Sequence, residues 1–197
     1  MKLQMLILLM VSSVCQAQYS NHQLYQAYLD QDMTVWEAYI LSSDWDAATT
    51  EEKKRLLNTE YGYAAYVVTF ETEKAENILR RYENHLQDCR EWLPEAEYLA
   101  HTAALCSYKL SLEKKRTIRY ATMIYENIKS AIRLEEDNPF VLTMMGNIEY
   151  FSPFGNKKKA LHYYQQADSL YSVKGEEYHQ WNQNALQKNI EQIKNNH

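Results

Sequence analysis

Four side chains near the middle of the chain have the types and the spacing to hold a divalent metal. His85 and Cys89 are four residues apart, and Glu97 and His101 are four apart again. Residues at that spacing project from one face of a helix, and imidazole, thiolate and carboxylate groups are ordinary zinc ligands. Two helices folded antiparallel at a turn near Trp92 could bring the four groups together. Convergence requires both faces to point at each other, and such pairs arise readily by chance in a chain with six histidines. Satisfied surface histidines are the simpler reading, so no metal, cofactor or catalytic residue is expected. An enzyme reading rests on this group alone, because no Gly-rich phosphate loop, Gly-x-Ser-x-Gly elbow, His-Glu-x-x-His helix or Cys-x-x-Cys pair occurs.

The elements that would carry these residues are helices. With four glycines and three prolines in 197 residues, and no Asn-Gly or Asp-Gly hairpin signal, the chain has few breakers. Leu56, Leu57, Tyr61, Ala64, Ala65 and Val68 fall on one side of a helix that opens with Thr49 and Glu52, the pattern of a capping box. Ala75, Ile78, Leu79, Tyr82 and Leu86 make its return helix, joined near Glu71 and Thr72. A second hairpin opens at Pro94, runs through Leu99, Ala103, Cys106 and Leu110 to a charged break at Glu113 to Arg116, and returns through Tyr120, Ile124, Ile128, Ala131 and Leu134. A third starts with Asn138 as N-cap and Pro139 at the first helical position, turns at the loop SPFGN, and returns from Lys157 to about Tyr171. The hairpins span about 53–88, 94–134 and 139–172, and a last helix follows Gly175 over 175–195, with Tyr178, Trp181, Leu186 and Ile190. Ahead of them, Leu24, Tyr28, Val35, Trp36, Tyr39 and Ile40 mark one or two short helices.

The hairpins overlay. An offset of 36 places Ala131 on Ala167, Ile124 on Ala160, Ile128 on Tyr164 and Leu134 on Leu170, and an offset of 43 places Leu99 on Leu142 and Ala103 on Gly146. Tyr61 and Ala65 take the corresponding places of the first hairpin. Small residues at Gly146 and Ala160 are expected to let the third pair of helices approach closely, and Ala167 to leave room for the helix that follows. Over 123–171 this register resembles the tetratricopeptide repeat, whose unit is about 34 residues. The match is fair over 94–122 and poor before that, and Leu142 stands where the family has an aromatic residue. The resemblance implies an all-α fold, with antiparallel helical hairpins stacked as a short α-α solenoid closed by a C-terminal capping helix. It also implies a non-catalytic scaffold that binds a protein or an extended peptide on its concave side. Carried over position by position, that side would present Tyr66, Thr69, Glu97, Ser107, Tyr108, Thr143, Asn147 and Tyr150. Aromatic faces and amides suit an extended peptide, although a solvated helix face would read the same way. A second reading is a small-ligand or transport accessory. The loop YFSPFGNKKKA is similar to one in the tetratricopeptide-like periplasmic components of TRAP-type transporters. A closed pocket would favour that reading and an open groove would favour protein binding.

Composition bounds the rest. With 21 basic and 26 acidic residues the net charge is −5, which disfavours nucleic acid as a partner. Lys114 to Arg116 and Lys157 to Lys159 fall at corresponding loops and could form an anion-binding edge, or simply solvated first turns placed unfavourably against the helix dipole. Most of the 17 tyrosines, among them Tyr61, Tyr82, Tyr125 and Tyr164, fit core positions with hydroxyls reaching the surface. Residues 1–17, with Lys2, an apolar run from Leu3 to Met10 and small residues up to Ala17, have the order of a secretory signal peptide. The expectation is an exported chain, periplasmic or secreted, with no membrane span once mature. Lipid anchoring at Cys15 is disfavoured by Val14 and Ser12 just before it. Cys89 and Cys106 are expected as two buried thiols, since antiparallel helices would hold them about 18 Å apart.

Overall fold

Helices begin where the sequence supplies caps. In the computed structural model, which describes residues 19–113, 117–174 and 179–195, every strand-like or helical element is an α-helix. They are α1 (Asn21–Leu29), α2 (Met33–Ser42), α3 (Thr50–Phe70), α4 (Thr72–Asp88), α5 (Glu95–Leu112), α6 (Thr117–Leu134), α7 (Pro139–Phe151), α8 (Lys157–Lys174) and α9 (Gln180–Asn195). Ser20 with Gln23 and Thr49 with Glu52 form capping boxes. Asn138 caps α7 through the amides of Phe140 and Val141, with Pro139 at its first turn. Pro94 lies one position earlier than expected, at the N-cap of α5, where its ψ of 135° is still extended.

The protein is all-α, built of antiparallel hairpins stacked in sequence with a C-terminal helix. Helices α3 with α4, α5 with α6, and α7 with α8 form the hairpins, and α3, α5 and α7 lie side by side. The turns within hairpins therefore share one edge of the stack and the turns between hairpins share the other. The signal-peptide reading and the Cys15 question concern residues outside those described, as do Lys114 to Arg116, Gly175 and Tyr178. Among the described residues no helix is long and apolar enough to cross a membrane.

Packing departs from the sequence reading in three places. The overlay put Ala65 in the core, but it is exposed; α3 instead buries Glu60, Tyr63 and Val67, because α2, α4 and α5 surround it on several sides. Gly146 makes room for a ring rather than for Ala160, since a Cβ there would sit 2.6 Å from two ring atoms of Tyr164. Tyrosine hydroxyls end inside rather than at the surface: Tyr82 meets His101, and Tyr164 donates to Asn147. Cys89 and Cys106 are free buried thiols, and burial raises both above the usual range, Cys89 to about 12.

The SPFGN loop is fixed by backbone contact. Asn156 accepts from the amides of Lys158 and Lys159 and donates its own amide to Glu149. A Cβ at Gly155 would lie 2.1 Å from the Glu149 carbonyl oxygen. Gly155→Ala is therefore expected to lower stability by about 2 kcal/mol, the usual scale of overpacking. Urea unfolding measures it, and an unchanged midpoint would show that the loop moves aside freely.

Candidate functional site

The four candidate metal ligands do not converge. His85 donates from Nδ1 to both Glu60 carboxylate oxygens at 2.9 Å. His101 Nδ1 lies 2.6 Å from the Tyr82 hydroxyl. Glu97 accepts from Asn138 across the turn between the second and third hairpins. Among the described residues no group of three or more His, Cys, Asp or Glu could hold a metal ion. Each helix turns its titratable group toward a different neighbour, which spacing within one helix could not reveal.

Glu60 is the centre of a cluster that the sequence reading missed. Its side chain has no exposure, Arg81 Nε donates to it at 2.8 Å, and Arg81 also reaches the Ser43 carbonyl. The Trp45 ring stacks on His85 at 4.0 Å and 3°, and Lys53 Nζ lies over the Trp45 ring at 5.3 Å. The arrangement ties α3, α4 and the segment between α2 and α3 together. The carboxylate is thus closed off from solvent by its own partners.

His101 is neutral. Burial lowers its imidazole from 6.5 to about 3, whereas the unfolded chain takes up that proton near 6.5. Stability present at neutral pH is therefore lost as pH falls below about 6.5. The difference reaches about 2 kcal/mol at pH 5. Urea unfolding at pH 7 and pH 5 should show His101→Gln losing less stability than the wild type by roughly that amount. Equal losses would mean that this group is not the source.

The eight residues proposed for the concave side do not form one open face. Tyr108 donates to the Tyr61 carbonyl, and Asn147 bridges the hydroxyls of Tyr61 and Tyr164. Thr143 is buried and donates to the Pro139 carbonyl, and Ser107 likewise donates to Ala103 within its own helix. Tyr150 donates to Gln192 of α9. At the end of α3, Tyr66 bonds Glu71 and Thr69 bonds the Ala65 carbonyl. Glu97 is held at the opposite edge.

Helix α9 and a set of rings close the concave side. Tyr61 touches His101, Tyr108, Phe140 and Trp181, with centroids 5.4–6.1 Å apart. Trp181 meets Trp36 edge-on at 5.2 Å and fills the space above Gly62, where a Cβ would lie 2.6 Å from both indoles. Asn58 donates to Asn182 at 3.0 Å, so the first hairpin and the last helix are joined directly. An opening beside His101 and Phe140 is about 10 Å³, about the room of one water molecule.

Two openings lie outside this closed centre. One, of about 260 Å³, is bordered by Tyr19, Tyr39, Ser43, Asp44 and Arg55, with the Arg55 guanidinium 5.4 Å over the Tyr39 ring. The larger, about 650 Å³, is an open groove between the second and third hairpins. Ile132, Leu142, Tyr163 and Leu170 give it an apolar floor, and Glu136 and Gln166 give it a polar rim. The repeat overlay read Leu134 and Leu170 as equivalent core positions; Leu134 is 54% exposed. Periodicity finds apolar positions but does not say which of them lack a covering neighbour.

No family model matches the chain, and no curated protein matches it. Among solved structures, the HusA haemophore from Porphyromonas gingivalis aligns with 91% of this chain and 88% of its own. The chain shares a fold with that haemophore. The TM-score is 0.50 and the identity 14%, so the likeness is one of architecture.

Proposed function

We propose that the protein is a non-catalytic docking module, a tetratricopeptide-like stack that holds another protein or an extended peptide. The observation that carries this reading is the groove between the second and third hairpins, an apolar floor with a rim of carboxylate and amide groups. Such a groove suits a segment with an aliphatic or aromatic anchor followed by a basic residue, since an apolar anchor gives affinity and Glu136 gives register. The closed concave side moves the contact surface outward from the face expected of an open repeat. Export by the leader at 1–17 belongs to this reading and would place the partner outside the cytoplasm. A photo-crosslinker at Gln166 in the native envelope, with Leu170→Asp beside it, tests the reading. Crosslinked partners that disappear in the variant support it, and identical patterns in both chains reject it.

A second reading takes haem as the ligand. It is favoured by architecture shared with a haemophore over most of both chains and by Tyr163, which borders the 650 Å³ groove, with His162 exposed next to it on the same helix. Histidine and tyrosine both serve as axial haem ligands. Titration with haemin should then give a shifted Soret band that changes in His162→Ala or Tyr163→Phe. A spectrum identical to haemin in buffer would remove this reading.

A further inference from the structure

The edge formed by turns within the hairpins combines two features that the groove does not use. At the second and third hairpins its apolar side chains stand out in solvent: Ile118 is 85% exposed, Phe151 68% and Phe154 93%. Beside them, Lys157, Lys158 and Lys159 are exposed in the first turn of α8, and Arg119 is exposed in the first turn of α6. Cations in a first turn oppose the helix dipole, and the chain as a whole carries a net charge of −5. Their concentration here runs against both tendencies. The acidic groups at the same turns are held locally, Glu149 by the Asn156 amide and Glu113 by Tyr120. The opposite edge carries Glu91, Glu135 and Glu136, with Glu95 paired to Arg90 and Asp137 to Lys174, and so has more acidic groups than basic ones. Phe70 shares the apolar character of this edge but lies next to Glu71 and Glu73, so the first hairpin stands outside the basic part.

We propose that this edge, centred on Ile118, Phe151 and Phe154 and flanked by Arg119 and Lys157 to Lys159, docks the protein on an anionic lipid surface. The side chains protrude from two turns, Ile118 from one and Phe151 with Phe154 from the other. A protein partner would have to supply a matching hole for each of them. A lipid interface accepts protruding Phe and Ile side chains without shape matching, and its anionic headgroups meet the flanking cations. No covalent anchor is needed for this contact, and the depth is limited to loop tips. Docked this way, the protein turns its acidic edge away from the headgroups.

Co-sedimentation of the chain without residues 1–17 tests the proposal, using phosphatidylcholine vesicles with and without phosphatidylglycerol. Binding should require phosphatidylglycerol and weaken with added salt. Each cation near the surface is worth roughly a factor of five, so Lys158→Glu with Lys159→Glu should lower partitioning by more than about twentyfold. Ile118→Ser with Phe154→Ser should lower it as well, without a change in salt dependence. Because all four side chains are exposed, the circular dichroism melt of the Ile118 and Phe154 variant should match the wild type, and that of the lysine variant should lie at or slightly above it, since Glu suits a first turn better than Lys. Absence of vesicle binding, equal binding to both vesicle types, or variants that bind like the wild type would overturn the proposal. Capture of a protein through this edge with no vesicle binding would overturn it too.

Discussion

Trp36→Ala is expected to lower the unfolding free energy by about 3–5 kcal/mol, the range for removing a large buried aromatic side chain. Trp36 is 1% exposed, and its indole donates to the Leu24 carbonyl at 2.8 Å. Its ring stands between Tyr28 of α1 and Trp181 of α9, and the space above Gly62 is shared by the two indoles. Truncation therefore removes packing on three helices at once. Urea unfolding gives the magnitude, and limited proteolysis should show earlier cleavage near both ends of the chain. Trp36→Phe keeps much of the ring and loses the donor, so its cost should be smaller. A Trp36→Ala protein with a wild-type midpoint would mean that the two ends are held together by other contacts.

Glu60→Ala comes next, with an expected loss of about 3 kcal/mol, at the low end for breaking a buried ion pair. The carboxylate has no exposure and accepts from both Arg81 and His85. Its removal leaves the Arg81 guanidinium without its carboxylate, although that side chain is 27% exposed and can turn partly to water. The stacking of Trp45 on His85 should loosen as well, which near-ultraviolet circular dichroism would report. Glu83→Ala provides the comparison. Its partner Lys109 is 2.5 Å away, but both ends are partly solvated, and pairs of that kind are worth about 1 kcal/mol or less. Equal losses in the two variants would reject the assignment of Glu60 as a buried centre.

Much of the helical framework was legible because its signals are local. Thr49 with Glu52, Asn138 with Pro139, and the break at Glu71 each act within one turn of backbone, and each appears at the expected place. The sides of helices were less legible. Ala65 follows the period of the Leu56, Leu57 and Tyr61 stripe, yet it is exposed, because α3 is surrounded unequally by its neighbours. Glu60 had a signal, a carboxylate between Leu57 and Tyr61, but its partners are 21 and 25 residues further on. The metal constellation failed for a related reason. Spacing placed His85 with Cys89 and Glu97 with His101, but rotation of each helix about its axis is set by packing far from either pair. The groove was least legible, since a half-buried Leu170 looks the same in sequence as a buried Leu142.

The contact between Trp36 and Trp181 also limits where further helices could be inserted. Linear helical arrays gain or lose whole units with little disturbance to the remainder, because each unit touches its neighbours alone and stability is nearly a sum along the array. Here the last helix returns to the first hairpin, with Asn182 bonded to Asn58 and Trp181 seated over Gly62. Another hairpin inserted after α8 would carry α9 away from those positions. Insertion at that point would therefore cost the contacts that join the two ends of the fold.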